Sequence, residues 1–110
     1  MNYRHGSDVN QKAIVAGLRK CGFSVEVTAA LGVLGHGFPD LVVGAHGRTF
    51  LFEVKQSPKH HLTDSEVAFR QRWKGGPLHV ITSLQEAIDC IKSAMGKNTG
   101  SLIMRQIGGI

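Results

Sequence analysis

Hydrophobic and polar positions along the first half of the chain repeat with two different periods. Between Asp8 and Lys20 apolar residues, among them Val9, Ile14 and Leu18, recur every three or four positions, which predicts an amphipathic helix. Phe23–Thr28 alternates apolar and polar residues and is predicted to be a strand. Residues 41–55 contain two apolar runs joined by a glycine-containing turn, which is typical of a β-hairpin.

The second half of the chain continues with a helix, a strand and a helix. Thr63 and Glu66 have the spacing of a capping box, which predicts that a helix starts here and runs to about Trp73. Leu78–Thr82 reads as a strand, and an apolar stripe from residue 84 to residue 95 predicts the last helix. A strand that is reached through a helix can pair in parallel. We therefore predict an α/β fold with a mixed β-sheet flanked by helices and an αβββαβ core.

Length and composition agree with one small basic domain. The chain has 110 residues and is 42% hydrophobic, which is enough for a single core, and we assign the domain to residues 1–95 and a flexible tail to residues 96–110. No apolar run is long enough to cross a membrane, and the polar N-terminus is unlike a signal peptide. Two widely separated cysteines are expected to be reduced core residues of a cytoplasmic protein. A formal net charge of +5 favours a polyanionic partner, nucleic acid foremost.

Three charged residues are predicted to lie together at one end of the hairpin. Asp40 precedes its first strand, and Glu53 and Lys55 end its second strand on the same face. Carboxylates beside a lysine are costly to bury unless they are paired or hold a cation. This combination suits a Mg²⁺ site that acts on phosphodiesters. The alternative is a surface salt bridge between Glu53 and Lys55, with Asp40 as a turn residue.

The same residues resemble a known superfamily. Pro39-Asp40, a hairpin turn and then Glu53-Val54-Lys55 are similar to the PD-(D/E)XK nucleases. More closely, the chain resembles the small stand-alone VRR-NUC domains of phage and bacteria, through the segments 37–41, 53–55, Leu62-Thr63 and 78–82. The opening Arg4-His5-Gly6-Ser7 is also similar to archaeal Holliday junction resolvases.

The resemblance implies roles for the hairpin residues. Asp40 and Glu53 would bind Mg²⁺ or Mn²⁺ together with the main-chain carbonyl of Val54, and Lys55 would hold the attacking water or stabilise charge on the phosphate. DNA is the implied partner, a homodimer is the expected assembly, and a bacterial or phage-infected cell is the expected setting.

The first helix departs from the pattern, since nucleases of this kind often carry a glutamate there. No glutamate precedes Glu26, and the candidates at that position are Asp8, Asn10 and Gln11, of which Asp8 could equally cap the helix. For Glu66 the capping role is favoured over a catalytic one.

Polar and basic residues after the hairpin are candidates for contacts with the nucleic-acid backbone. They are Gln56, Lys59, His60, Arg70, Arg72 and Lys74. His36 is a further candidate for a phosphate contact, whereas Trp73 is expected to be a core residue because it follows other apolar residues at helical spacing.

These observations lead to one main hypothesis and its rivals. The main hypothesis is a metal-dependent, structure-specific endodeoxyribonuclease that acts at branched or four-way junctions as a homodimer. The alternatives are a non-catalytic DNA-binding module on a nuclease fold, which the missing helix-one glutamate favours, and an exonuclease or restriction-type nuclease on the same fold.

Overall fold

The computed structural model describes residues 5–28 and 37–97, which form three helices and four strands. The helices are α1 (His5–Lys20), α2 (Asp64–Arg72) and α3 (Leu84–Lys97). The strands are β1 (Ser24–Val27), β2 (Leu41–Ala45), β3 (Arg48–Val54) and β4 (Leu78–Ile81). Their order along the chain is α1-β1-β2-β3-α2-β4-α3, as the sequence predicted.

The strands form one mixed sheet in the order β1-β2-β3-β4. β1 to β3 form an antiparallel meander, and β4 pairs with β3 in parallel because α2 carries the chain back across the sheet. The predicted mixed sheet is therefore confirmed. Since β3 has neighbours on both sides, its last residues lie in the middle of the sheet rather than at an edge.

A two-residue turn sets the register of the hairpin. His46 and Gly47 both have positive φ, of 55° and 77°, as a tight turn between twisted antiparallel strands requires. The turn pairs Ala45 with Arg48 and Leu41 with Phe52. It therefore aligns the open ends of the two strands, where Asp40 and Glu53 lie.

The main core lies on the face of the sheet that packs against α1 and α3. Every second residue of β3 contributes to it, with Phe52 fully buried, and Ile14, Leu18 and Ile91 cover this face from the two helices. Leu51, Glu53 and Lys55 point to the opposite face, where α2 begins. The predicted alternation of β3 is thus present, and it separates the core from the charged residues.

Three residues differ from the core assignment made from the sequence. Val9 is 60% exposed because the buried stripe of α1 passes through Ile14, Val15 and Leu18 instead. Cys21 is exposed at the end of α1 and, like Cys90, is a free thiol. Trp73 is 39% exposed because it follows the last turn of the short helix α2.

Several expectations fall on parts of the chain outside the described residues. These parts are residues 29–36, which include His36, and the tail from residue 98 onwards. Of the segment Arg4-His5-Gly6-Ser7, Arg4 also lies outside the described residues, and only the backbone of the other three is described. Within the described residues, no helix combines the length and hydrophobicity needed to cross a membrane.

Candidate functional site

The two carboxylates predicted to form a site are in contact. Asp40 immediately precedes β2, and the pairing of Leu41 with Phe52 places Asp40 opposite Glu53. The two carboxyl groups lie close enough for each to shift the pKa of the other. The hairpin therefore brings together two acids that are 13 positions apart in the sequence.

Asp40 is held by the backbone of β3. Its Oδ2 accepts a hydrogen bond from the Val54 N–H at 2.8 Å. Burial raises the pKa of Asp40 above its ordinary value, and the hydrogen bonds from Val54 and Glu53 only partly offset this. The N–H and C=O of one strand residue point to the same side of the strand. The Val54 carbonyl is therefore directed toward the side on which Asp40 lies.

Glu53 is the most deeply buried charged residue of the site, with 7% of its surface exposed. Burial raises the pKa of Glu53 to about 10, and its hydrogen bond with Glu66 and the nearby charge of Asp40 add to the shift. Without a cation the site thus keeps a proton at neutral pH, because three carboxyl groups share a single lysine.

Lys55 follows β3 directly and points toward both glutamates. Its Nζ lies 2.9 Å from Glu66 Oε1 and 3.4 Å from Glu53 Oε2. Burial alone would lower the pKa of Lys55, but the hydrogen bond to Glu66 and the charges of Glu53 and Glu66 outweigh it, and the pKa is raised. Lys55 is therefore a cation within the site, as the sequence suggested.

Glu66 is a site residue for which the sequence favoured helix capping over a catalytic role. The capping box is present, since Thr63 Oγ1 accepts from the Glu66 N–H at 3.2 Å and Glu66 Oε1 accepts from the Thr63 N–H at 2.8 Å. The same carboxylate also binds Lys55. Hydrogen bonds from Glu53, Lys55 and the Thr63 backbone outweigh burial and lower the pKa of Glu66. The sequence feature that could have indicated this contact is the connector between β3 and α2. It returns the chain so that the first turn of α2 lies beside the end of β3.

Helix α1 reaches the site through an amide rather than a carboxylate. The Asn10 side-chain NH₂ donates to the Lys55 carbonyl at 3.1 Å and to the Thr82 carbonyl at 2.8 Å. Asn10 thereby ties α1 to the carboxyl ends of the parallel strands β3 and β4. Gln11 is half-buried on the same helix, and the side chain of Asp8 lies outside the described ones.

The candidate nucleic-acid contacts occupy two exposed places near this end of the sheet. Gln56, Lys59 and His60 lie on the connector after β3, where His60 Nδ1 accepts from the Ser57 N–H at 3.3 Å. Arg70 lines a small cleft together with Glu53 and Glu66. Arg72 lies over the Phe69 ring at 5.0 Å, and Lys74 follows α2 in an exposed position. Of these candidates, Arg70 lines the cleft that Glu53 and Glu66 also line.

Trp73 is neither a core residue nor an open platform for a base. One face of its ring stacks on Phe69 with centroids 5.4 Å apart. A Cβ at Gly75 would lie 2.6 Å from the ring, so the backbone at Gly75 packs closely against it. The indole N–H also donates to the Gly76 carbonyl at 2.8 Å. The ring therefore stabilises the turn that follows α2.

The donor set fits a hard divalent cation. Asp40 and Glu53 would supply carboxylate oxygens and Val54 a main-chain oxygen, and Mg²⁺ binds a few such ligands while keeping several waters. The structural observation that fits a cation is that buried carboxyl groups outnumber the single lysine beside them. Among the described side chains, no group of three or more carboxylate, histidine or cysteine residues is arranged to hold a metal, so the protein ligands would be few.

A second depression, of about 600 Å³, lies at the opposite end of the hairpin around the His46–Gly47 turn and the end of α1. It is larger than the cleft beside Glu53, but no carboxylate lines it. The larger depression therefore lies at the turn of the hairpin, whereas the carboxylates lie at its open end. We assign the candidate site by chemistry, because the cleft beside Glu53 is lined by carboxylates and the depression at the turn is not.

The topology defines the class: a small α/β fold with the element order αβββαβα and a mixed four-stranded sheet. Comparison with a solved structure described as "VRR_NUC domain" specifies the fold further. The two are similar with a TM-score of 0.64 over 79% of this chain and 95% of that chain, at 21% sequence identity. The chain therefore has a VRR-NUC-like fold. Comparisons with family models and with curated proteins give no match.

Proposed function

We propose that this protein is a metal-dependent, structure-specific endodeoxyribonuclease that hydrolyses DNA phosphodiester bonds at branched or four-way junctions. The observation that carries the proposal is the buried Asp40–Glu53 carboxylate pair with Lys55 beside it, at the open end of a hairpin. The VRR-NUC-like fold supports the same function.

Each residue of the site has a chemical role in this proposal. Asp40 and Glu53, with the Val54 carbonyl, would hold Mg²⁺ or Mn²⁺. Such an ion, when bound, neutralises phosphate charge and lowers the pKa of a bound water. The Lys55 ammonium would stabilise the charge that develops on the phosphate as the P–O bond breaks. The Asn10 amide holds the carboxyl ends of β3 and β4 in register and so positions Lys55.

DNA contacts in this proposal come from phosphate neutralisation rather than from base reading. Arg70 lies at the cleft, and the connector with Lys59 and His60 extends the basic surface away from it. Such contacts position a duplex without reading its sequence, so selectivity would come from DNA shape. Cutting two strands symmetrically would require two copies of the site, and we propose a homodimer for that reason.

Cleavage of plasmid, linear and four-way-junction DNA in Mg²⁺ or Mn²⁺ tests this function. We expect cleavage that stops with a chelator and that Asp40→Asn and Glu53→Gln each abolish, because each removes a ligand charge with little change in shape. Circular dichroism and urea unfolding of both variants serve as the control for folding. Cleavage by either purified variant at the wild-type rate would refute the site assignment.

The second candidate is a DNA-binding module without catalysis. It is favoured by α1, which reaches the site through the amide of Asn10 rather than through a carboxylate. Junction binding without cleavage in either metal would select this candidate. Cleavage only from DNA ends would select the exonuclease instead.

A further inference from the structure

Glu66 has two sets of partners that a helix cap alone does not explain. A single oxygen, Oε1, accepts from the Thr63 N–H at 2.8 Å and from Lys55 Nζ at 2.9 Å. The first contact closes the capping box of α2, and the second joins that box to the residue that follows β3. The start of α2 and the lysine of the candidate site are therefore held by the same atom.

The contact with Glu66 is the shorter of the two ion pairs that Lys55 forms. Lys55 Nζ lies 2.9 Å from Glu66 Oε1, which is within the usual range of a hydrogen bond. Its distance of 3.4 Å to Glu53 Oε2 is beyond that range, so this contact is the looser of the two. The Lys55 and Glu66 side chains keep only 13% and 17% of their surface exposed. A lysine side chain has four rotatable bonds, and an enclosed charged partner restricts it far more than an exposed one does.

Glu66 is unsuited to be a metal ligand itself. Its Oε1 already accepts two donors, and Glu53 forms a hydrogen bond with the same carboxyl group. No group of three metal-binding side chains is found in the described part of the chain. Its Oε1 is thus already bonded to Lys55 and to the cap of α2.

We propose that Glu66 is a positioning residue for Lys55, which fixes the ammonium group beside the carboxylate pair and couples its position to the capped N-terminus of α2. This inference rests on the proposed function for its catalytic consequence. The geometric part of it, the restraint of Lys55 by Glu66, is independent of any activity.

The chain offers a matched control for the capping role. Thr63→Ala removes the hydroxyl that caps Glu66 N–H but keeps the Thr63 backbone N–H and leaves the Lys55–Glu66 contact in place. Glu66→Ala weakens the same cap and also removes the partner of Lys55. Glu66→Gln keeps an oxygen for the cap and removes the charge. Comparing the three variants separates a loss of capping from a loss of lysine positioning.

The first measurement is the rate at which acetic anhydride acylates Lys55 in the metal-free folded protein, followed by peptide mass spectrometry. We expect Lys55 to react at least about tenfold faster in Glu66→Ala than in the wild type, since a tenfold change corresponds to the loss of one ordinary charge-assisted contact. Thr63→Ala should stay within about twofold, and Glu66→Gln should fall between. Exposed Lys92 provides the internal reference. Equal Lys55 rates in Glu66→Ala and Thr63→Ala would overturn the proposal.

The second measurement is single-turnover cleavage at saturating metal. We expect Glu66→Ala to lower the cleavage rate while its apparent metal affinity stays within about twofold of wild type, and Glu66→Gln to restore part of the rate. A loss of metal affinity with a normal maximal rate would overturn the positioning role. If the wild type cleaves no DNA, the proposed function fails, and the acylation experiment still decides whether Glu66 restrains Lys55.

Discussion

At the scale of single residues, the site combines carboxyl groups whose environments push their pKa values in opposite directions. Burial raises the pKa of Glu53 to about 10, whereas hydrogen bonds lower the pKa of Glu66 in spite of its burial. Such opposed shifts are typical of functional sites. The metal-free site therefore stores a proton on Glu53 that a divalent cation would displace.

The stability of the metal-free protein should depend on pH through Glu53. The ordinary pKa of a glutamate is 4.5, and the folded-state value is about 10, so between these values the folded protein binds a proton that the unfolded chain has lost. This contribution to stability is complete below about pH 4.5 and is lost progressively as the pH rises toward 10. Urea unfolding with a chelator at several pH values measures it.

Glu53→Gln is the control, since it cannot release the proton. We expect the free energy of unfolding of this variant to rise relative to wild type as the pH increases from about 5 to 9. Parallel pH profiles for the two proteins would show that Glu53 is not the responsible group.

At the scale of secondary-structure elements, the site depends on a close contact between α2 and the chain before β2. Gly37 has a φ of 98°, and a Cβ there would lie 2.2 Å from the Ser65 carbonyl oxygen in the first turn of α2. The absence of a side chain at Gly37 thus lets the start of α2 approach the segment that carries Asp40. Glu66, the next residue of α2, lies beside Lys55.

Gly37→Ala should therefore destabilise the protein more than Gly47→Ala. Both positions have positive φ, but nothing lies within 4 Å of a Cβ at Gly47. Gly47→Ala should cost about 1–2 kcal/mol for the left-handed backbone alone, and Gly37→Ala should cost a further 1–3 kcal/mol or so for the overlap with α2. Urea unfolding of both variants measures the difference, and equal losses would contradict the close contact.

At the scale of the whole molecule, the formal net charge of +5 should make DNA binding depend on salt. Arg70 lies at the cleft, whereas Lys92 lies on α3, which packs against the opposite face of the sheet. Arg70→Gln should lower the slope of log affinity against log salt by about 0.9, the value for one lost phosphate contact on duplex DNA. Lys92→Gln removes the same charge and should keep the wild-type slope.

Fluorescence anisotropy in Ca²⁺, which typically supports binding without turnover at such sites, measures these slopes. If Lys92→Gln and Arg70→Gln change the slope equally, the DNA does not follow the cleft.

The proposed homodimer should be visible in light scattering. At micromolar concentration we expect about twice the chain mass of 11.9 kDa. The reason is geometric, because symmetric cleavage of a four-way junction needs two sites related by a two-fold axis. A monomer that still cuts both strands at symmetric positions would contradict this coupling.

Much of the fold could be predicted from local patterns. The element order, the hairpin and the parallel fourth strand follow from periodicity, capping boxes and connection length, which are local properties. The predicted burial of Val9 is wrong because helical spacing shows that an apolar stripe exists but not which stripe contacts the sheet. The predicted burial of Trp73 is wrong because the same spacing does not show where a short helix ends.

The sequence by itself determined the hairpin site, because two strands joined by a tight turn must bring Asp40, Glu53 and Lys55 to one end. Only the tertiary structure decided which charges meet there. The same Glu66 that the sequence marks as a helix cap binds Lys55, and Asn10 binds the backbone at the ends of β3 and β4. These contacts join residues of different elements, and their geometry arises only when the helices pack on the sheet.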